Sequence, residues 1–441
     1  MPRIYIDGRP IDADAGQTVM QAAVAAGIEI PAFCWHPKLS VSGSCRVCAV
    51  QVEGRSWVEI SCNMPVAEDL KVLTDTDLVR AYRKSILELT TLNHPVDCGI
   101  CDKSGECTLQ DYHYEYNGAP SNSRDVKVHA TKFHHLSERI TLDNERCILC
   151  SRCVRFTHEI SKTKSLGIVN RGDHSLVRAS EDGAFEHDAY SDNVVDICPV
   201  GALLSRAFLY KSRVWYLEPT PSVCPGCSRG CSVDLWHRKP EWKLRALDPA
   251  KNVAIERVTP RDNPAVNGPW TCNKARDLPA FFERPRALQA MLAGRPVATL
   301  EAIEAARSLV AGARNPVALV SNWGSNEELA AFAQALAMRF TVLVKTDWAP
   351  QPGEVVEDAI LIRADKNPNT AGACSRFPVM DDPAAKLPED CDLVLAWGEG
   401  FDPMRVPRGA RLVILDSWAN PAHAAADVFI PVSIQTERDG S

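Results

Sequence analysis

Sulfur carries the chemistry of this sequence. Of its seventeen cysteines, fifteen fall in four groups between Cys34 and Cys272, and only Cys374 and Cys391 follow. The sharpest group is Cys147, Cys150 and Cys153, with two residues between neighbours and Cys198-Pro199 far downstream. Three thiolates from one turn reach three corners of an iron–sulfur cube, and a remote cysteine closes it, as in bacterial ferredoxins. Zinc sites seldom use two consecutive steps of this kind. Cys34, Cys45, Cys48 and Cys62 form another group, with gaps of ten, two and thirteen residues, and Ser42, Gly43 and Ser44 lead into the central pair. A loop of small residues lets backbone N–H groups face sulfide and thiolate. That suits a 2Fe–2S centre of plant-ferredoxin kind, although the first gap is longer than in that motif, and a zinc knuckle is the alternative.

Two further groups are less self-sufficient. His94, Cys98, Cys101 and Cys107 supply only three thiolates, one short of the four that a cube uses, and His94 stands where a fourth donor could come from. An imidazole in place of a thiolate removes one negative charge and raises the reduction potential. The alternative leaves His94 as a cap on the preceding helix. Cys224, Cys227 and Cys231 lie in CPGCSRGC, with Cys272 forty residues on as the closing donor. This group reads as a 4Fe–4S site, again with zinc as the alternative. Cys391 opens an apolar run and reads as a small buried hydrophobe, while Cys374 has no assignable partner. His134, His135 and His187 lie in polar text and read as solvated.

Composition narrows the class. At 45% hydrophobic and 24% charged over 441 residues, the chain matches a soluble globular protein of two to four domains. A formal charge of −7 without a basic block argues against nucleic acid; oxidised clusters would take it to roughly −14. The weakly polar stretch 329–344 is interrupted by Gln334 and Arg339, short of a membrane span. The N-terminus alternates like a strand and not like a signal peptide, so a reducing compartment is expected, where cysteines bind metal or do redox work. No GxGxxG, P-loop or GxSxG motif is present. No catalytic side chain is therefore expected, and electrons must arrive from and leave to other proteins or cofactors.

The elements that must hold these groups follow from periodicity. Residues 1–78 read as strands (IYIDG, VCAVQVEG, VEISC) around one amphipathic helix ending at Gly27, and 77–91 read as a helix. Residues 118–137 are Asn/Ser/Pro/His-rich and read as a connecting loop, 147–213 as compact and irregular, and Pro219 and Pro221 as a boundary. Beyond residue 280, apolar runs such as PVALVS, TVLVK, LVLAW and RLVILD alternate with helical text, as in an α/β layer with buried parallel strands.

IPAFCWHPKLSVSGSCRVCAVQVEG, HPVDCGICDKSGECTLQDYHYEY, ERCILCSRCVRFTHEI and VVDICPVGAL, in that order, resemble the large iron–sulfur subunit family of NADH–quinone oxidoreductase (respiratory complex I), the G subunit in bacteria and the 75-kDa subunit in mitochondria. The resemblance covers residues 1 to about 275 and continues more loosely through ADKNPNTAGA. It implies a multidomain α+β chain. A β-grasp 2Fe–2S ferredoxin domain (1–78) would come first. A 4Fe–4S domain ligated by one histidine and three cysteines (79–118) and a bacterial-ferredoxin-like 4Fe–4S domain (138–213) would come next. A 4Fe–4S domain of the molybdenum-enzyme type (217–273) and a partial molybdopterin-oxidoreductase-like α/β domain (274–441) would follow.

The resemblance implies that Cys34, Cys45, Cys48 and Cys62 hold the 2Fe–2S cluster. His94 would then be a ligand with Cys98, Cys101 and Cys107. Cys147, Cys150, Cys153 and Cys198 would hold a second cube, and Cys224, Cys227, Cys231 and Cys272 an extra cluster off the main electron path. The expected role is an electron relay from the NADH/flavin subunits toward quinone-module subunits, peripheral to the inner membrane on its cytoplasmic side. Similar front domains occur in soluble NAD-linked hydrogenases and formate dehydrogenases, the alternative assembly. Two departures stand out: the gap before Cys272 is long for the family, and the text stops at IQTERDGS where members run several hundred residues further. Residues 216–441 are too few for a complete molybdenum-binding body, so no molybdenum cofactor is expected.

Overall fold

Strands too short to be stable alone build the front of the chain, and they become a sheet by pairing around one helix. In the computed structural model, which describes residues 1–440 apart from 131, 133, 134, 181, 182, 243–252, 337 and 338, the strands Arg3–Ile6, Arg9–Asp12, Ala49–Val52, Val58–Ile60 and Lys71–Leu73 form one mixed sheet. Lys71–Leu73 runs parallel to Arg3–Ile6 and antiparallel to Ala49–Val52, and so joins two hairpins into one layer. The helix Val19–Ala25 lies on it, started by a reciprocal cap in which Thr18 and Gln21 satisfy each other's backbone N–H groups. Ile4, Ile6, Val19, Met20, Val50 and Val72 fill the core, and Cys48 and Cys62 share it. The joining strand escapes a reading by periodicity because three residues hold no period.

The helix Asp77–Thr91 stands where the sequence puts it, with Thr76 as its N-cap. Residues 118–137 hold no helix or strand among those described. The segment expected to be irregular contains more order than its composition suggests: helices Arg152–Glu159 and Asn193–Ile197, the strand pair Leu166–Val169 with Leu176–Ala179, and one strand of a second pair. That second pair, Ile140–Leu142 with Leu203–Ser205, sets Leu142 opposite Leu203.

The chain divides into two units, Met1–Pro219 with Trp236–Leu244, and Thr220–Leu235 with Arg245–Ser441. Pro219 ends the first segment of the first unit, at the boundary read from the sequence, and both Pro219 and Pro221 lie inside the strand Leu217–Val223. That strand is at the edge of a three-stranded sheet, where a missing N–H costs no ladder bond.

The second unit is built on a seven-stranded sheet. Thr341–Lys345, Pro316–Ser321, Leu393–Trp397, Arg411–Asp416 and Val428–Pro431 run parallel in that spatial order, and the hairpin of Met291–Leu292 with Arg295–Pro296 adds an antiparallel edge. Pro316–Ser321 and Leu393–Trp397 are buried along their whole length, as central parallel strands covered on both faces must be. The expected helix LEAIEAARSLVAG is present as Thr299–Gly312. The stretch 329–344 divides between the helix Asn326–Leu336 and the strand Thr341–Lys345. No helix among the described residues is long and apolar enough to cross a membrane.

One of the buried ion pairs of this unit is a two-point fork. Arg405 forks onto Asp381 at 2.6 and 2.8 Å, and only 2% of the Asp381 side chain is exposed. Arg405→Met leaves that carboxylate buried without its partner. The expected cost is about 3–5 kcal/mol, read as a lower urea midpoint at unchanged slope.

Candidate metal centres

Each cysteine group is assembled by a different piece of local structure. In the first, Cys48 immediately precedes the strand Ala49–Val52 and Cys62 follows the strand Val58–Ile60, so the Ala49–Ile60 register sets them side by side. Ser61 reinforces this by donating from its amide (3.0 Å) and hydroxyl (2.9 Å) to the Cys48 carbonyl. Cys34 and Cys45 sit on the irregular loop between Ile30 and Cys48, where Gly43 and Arg46 adopt positive φ and the Phe33 amide points at the Cys45 sulfur from 3.4 Å. The sulfurs meet in two pairs. A hydrogen bond from Cys45 lowers Cys34 to about 5, and one from Cys62 lowers Cys48 to about 7, while the donors Cys45 and Cys62 are pushed up. These four cysteines, two beside the strand pair and two on the loop, make a candidate donor set.

The third group shows how a remote cysteine is delivered. Cys147 lies five residues after Leu142 and Cys198 five residues before Leu203, and those two leucines are directly paired. The hydrogen bond from the Asp143 amide to the Ala202 carbonyl, 2.8 Å, extends the alignment toward the cysteines. Leu149 and Ser151 hold positive φ, a costly conformation for residues with side chains. It curls the backbone so that the Leu149 amide reaches the Cys147 sulfur at 3.4 Å. Cys147, Cys150, Cys153 and Cys198 all line one cavity of about 360 Å³ including its mouth, closed by Leu142, Val177, Val200 and Leu203. Burial pushes Cys147 up to about 12, Cys150 up to about 11 and Cys153 further still. Thiols so desolvated keep their protons unless a metal replaces them.

The second group occupies the loop between the helix Asp77–Thr91 and the helix Thr108–Tyr112. Cys101 is buried, Cys107 is half-buried at the start of the second helix, and Cys98 is exposed. His94 is not the helix cap. The last carbonyls of the first helix, Thr91 and Leu92, are taken by Lys127 Nζ at 3.1 and 2.8 Å, which also takes the His94 carbonyl. The His94 Nδ1 atom is buried with no hydrogen-bond partner. Burial first, then the Lys127 and Arg146 charges, lower its pKa to about 4, so the ring is neutral and holds a lone pair for a metal.

In the fourth group, Cys224 and Cys231 are joined by the Cys224 amide donating to the Cys231 carbonyl at 2.8 Å, and the Gly226 amide faces the Cys224 sulfur at 3.4 Å. Cys272 begins the helix Asn273–Arg276, whose first amides lower its pKa against the larger effect of burial. Cys224 is influenced by the charges of Cys272, Cys231 and Cys227, so the forty-residue gap closes in space; residues 243–252 of that gap lie outside the described residues.

Among the described residues, no three His, Cys, Asp or Glu side chains gather around a single ion position. Zinc, with sulfur at about 2.3 Å, would need its four sulfurs roughly 3.8 Å apart. Of the remaining candidates, Cys391 is buried in the second unit's core as expected, and Cys374 touches Met380 sulfur at 3.4 Å. His135 and His187 are exposed, and His134 lies outside the described residues.

Spacing gave no hint of how the groups would adjoin. The third group's closing loop touches the second group: the Thr108 amide donates to the Pro199 carbonyl at 3.0 Å, and a Cβ on Gly201 would sit 2.1 Å from the Cys101 sulfur. Glycine is required there by that close approach. Arg152 and Arg155 tie the third group to the first.

Four family models match successive parts of the chain. They are a 2Fe-2S iron–sulfur cluster binding domain over residues 2–77, the NADH-ubiquinone oxidoreductase-G iron–sulfur binding region over 83–119, the ferredoxin-like domain of NADH-quinone oxidoreductase subunit 3 over 137–204, and a molybdopterin oxidoreductase Fe4S4 domain over 217–283. The G subunit of NADH-quinone oxidoreductase from Rickettsia prowazekii is 36% identical over 276 residues, 63% of this chain and 39% of that protein. The NADPH-Fe(3+) oxidoreductase subunit alpha of Geobacter sulfurreducens is 35% identical over 296 residues, 67% of this chain and 33% of that protein. A chain in the crystal structure of an NAD+-reducing NiFe-hydrogenase in its H2-reduced state is 32% identical, covering 48% of this chain and 91% of its own, with a TM-score of 0.44. This chain thus spans about two-fifths of the length of the Rickettsia relative. In its iron–sulfur domains, matched in this order, the chain is similar to the G subunit (75-kDa subunit) of NADH–quinone oxidoreductase.

Proposed function

We propose that the four donor groups hold one 2Fe–2S and three 4Fe–4S clusters and that this chain is an electron-relay subunit of an NADH–quinone oxidoreductase. The observation that carries the reading is the cavity ringed by Cys147, Cys150, Cys153 and Cys198, four cysteines drawn from two chain segments, the first two half-buried and the last two buried. The unpartnered His94 Nδ1 supports a site of one histidine and three cysteines for the second group. Bound iron–sulfur clusters supply one-electron transfer without making or breaking bonds. The protein's part is to hold the sulfurs, exclude water and aim amides at them. Its loops adjoin in the order first, third, second.

In this reading the chain works between NADH/flavin subunits and quinone-module subunits, at the periphery of the inner membrane on its cytoplasmic side. The fourth group serves assembly more than transfer. No molybdenum is bound. The Geobacter relative, named for Fe(3+) reduction, supports a second reading in which the same front half serves another electron acceptor. Co-purifying subunits of the native assembly decide between the two.

Three measurements test the proposal. Chain purified anaerobically with iron should be brown, and Cys150→Ala should remove one 4Fe–4S EPR signal and stop NADH-to-quinone transfer in the assembled enzyme; a colourless, zinc-loaded wild type would sink the reading. His94→Cys restores four thiolates and adds one negative charge, so its cluster should persist at a lower midpoint potential, whereas His94→Ala should leave the cluster labile. Identical behaviour of the two variants would exclude ligation by His94. Cys227→Ala should reduce the amount of assembled complex more than the turnover of each complex that forms; the reverse would place the fourth group on the transfer path.

A further inference from the structure

Two guanidinium groups lie between the first and third sulfur groups with no acid to pair them. Both project from the helix Arg152–Glu159, which starts within the third group. Arg152 donates through Nη2 to the carbonyls of Trp35 (2.6 Å) and Ala32 (3.3 Å), on either side of Cys34, and through Nη1 to that of Ile197 (3.2 Å), next to Cys198. Arg155 donates through Nη2 to the carbonyls of Cys34 and Cys150 (3.3 Å to the latter), through Nη1 to that of Ser40, and through Nε to the Ser151 hydroxyl (3.2 Å). Among the described residues, neither forms an ion pair with a carboxylate. Glu159, on the same helix, instead accepts from the Ser40 amide (2.8 Å) and hydroxyl.

A half-buried guanidinium held by carbonyls and a hydroxyl but by no carboxylate is poorly compensated, because such dipoles satisfy its N–H groups without cancelling its charge. Arg152 is the more exposed to this cost: its Nε is buried without a partner. The anions these arginines lack are the sulfurs of both sets once deprotonated.

We propose that Arg152 and Arg155 are the shared counter-charge of the first and third donor sets. They are positioning residues that clamp the two loops together and stabilise negative charge at both. This rests on the reading that these sets hold iron–sulfur clusters. A one-electron reduction at either set adds one negative charge beside the same cationic pair, with no bond formed or broken. The arginines therefore make both sites easier to reduce.

The test compares full-length wild type, Arg155→Met and Arg155→Lys, purified anaerobically with their clusters and titrated with dithionite under EPR. In Arg155→Met, the reduced-to-oxidised ratio at the wild-type midpoint should fall about tenfold at the first and third sets together, a shift of about 59 mV for one electron. The second and fourth signals should not move, and Arg155→Lys should titrate like wild type. Unmoved midpoints in Arg155→Met with both signals present, or an equal fall in Arg155→Lys, would overturn the proposal. Should Arg155→Met lose its clusters, Arg155→Lys decides alone: wild-type midpoints support the shared charge and lowered ones refute it. Absence of both signals from the wild-type chain would instead overturn the cluster reading and this inference with it.

Discussion

Everything in this chain's iron–sulfur half answers one constraint: sulfur charge has to be taken out of water. A thiolate in an apolar cavity is unstable unless something positive replaces its hydration. The upward shifts of Cys147, Cys150, Cys153, Cys224 and Cys231 all have burial as their first cause. What offsets it is local. Backbone amides at Leu149 and Gly226 face the sulfurs, and Cys107 and Cys272 sit where helices begin and free N–H groups point outward.

The secondary structure is arranged to meet that constraint at three places. A strand pair aligns Cys48 with Cys62, another aligns Cys147 with Cys198, and a pair of helices brackets the loop of His94, Cys98, Cys101 and Cys107. None of these strands is long. Their stability comes from cores that contain the donors themselves, as Cys48 and Cys62 do among Ile4, Met20 and Val50. In small metal-binding domains, donors that are part of the core couple metal binding to folding.

The second unit is organised on different terms. Its long parallel sheet is stabilised by apolar burial on both faces, with Val317, Leu319, Val394 and Phe429 on one side and Val320, Leu329, Val344 and Trp397 on the other. Such a layer needs no metal to hold together. Its buried polar groups include paired ions, Lys345 with Asp347 and Arg405 with Asp381, and the desolvation of Asp347 is large enough to raise its pKa despite its lysine.

Donor type and short spacing, which need no fold to be read, made the cysteines the candidate metal donors and suggested how they group. The sequence by itself also determined the helix Asp77–Thr91 and the buried strands of the α/β layer, whose periods are long enough to read. It left His94 open between cap and ligand. Tertiary contacts bear on the cap alone: the carbonyls His94 would have capped are taken by Lys127, thirty-three residues further along the chain from His94. The strand Lys71–Leu73, the delivery of Cys198 through the Leu142–Leu203 pairing, the approach of Gly201 to Cys101 and the two arginines between the first and third groups were equally illegible. Each depends on contacts between residues far apart in sequence, and local pattern carries no record of which distant backbone a loop will meet.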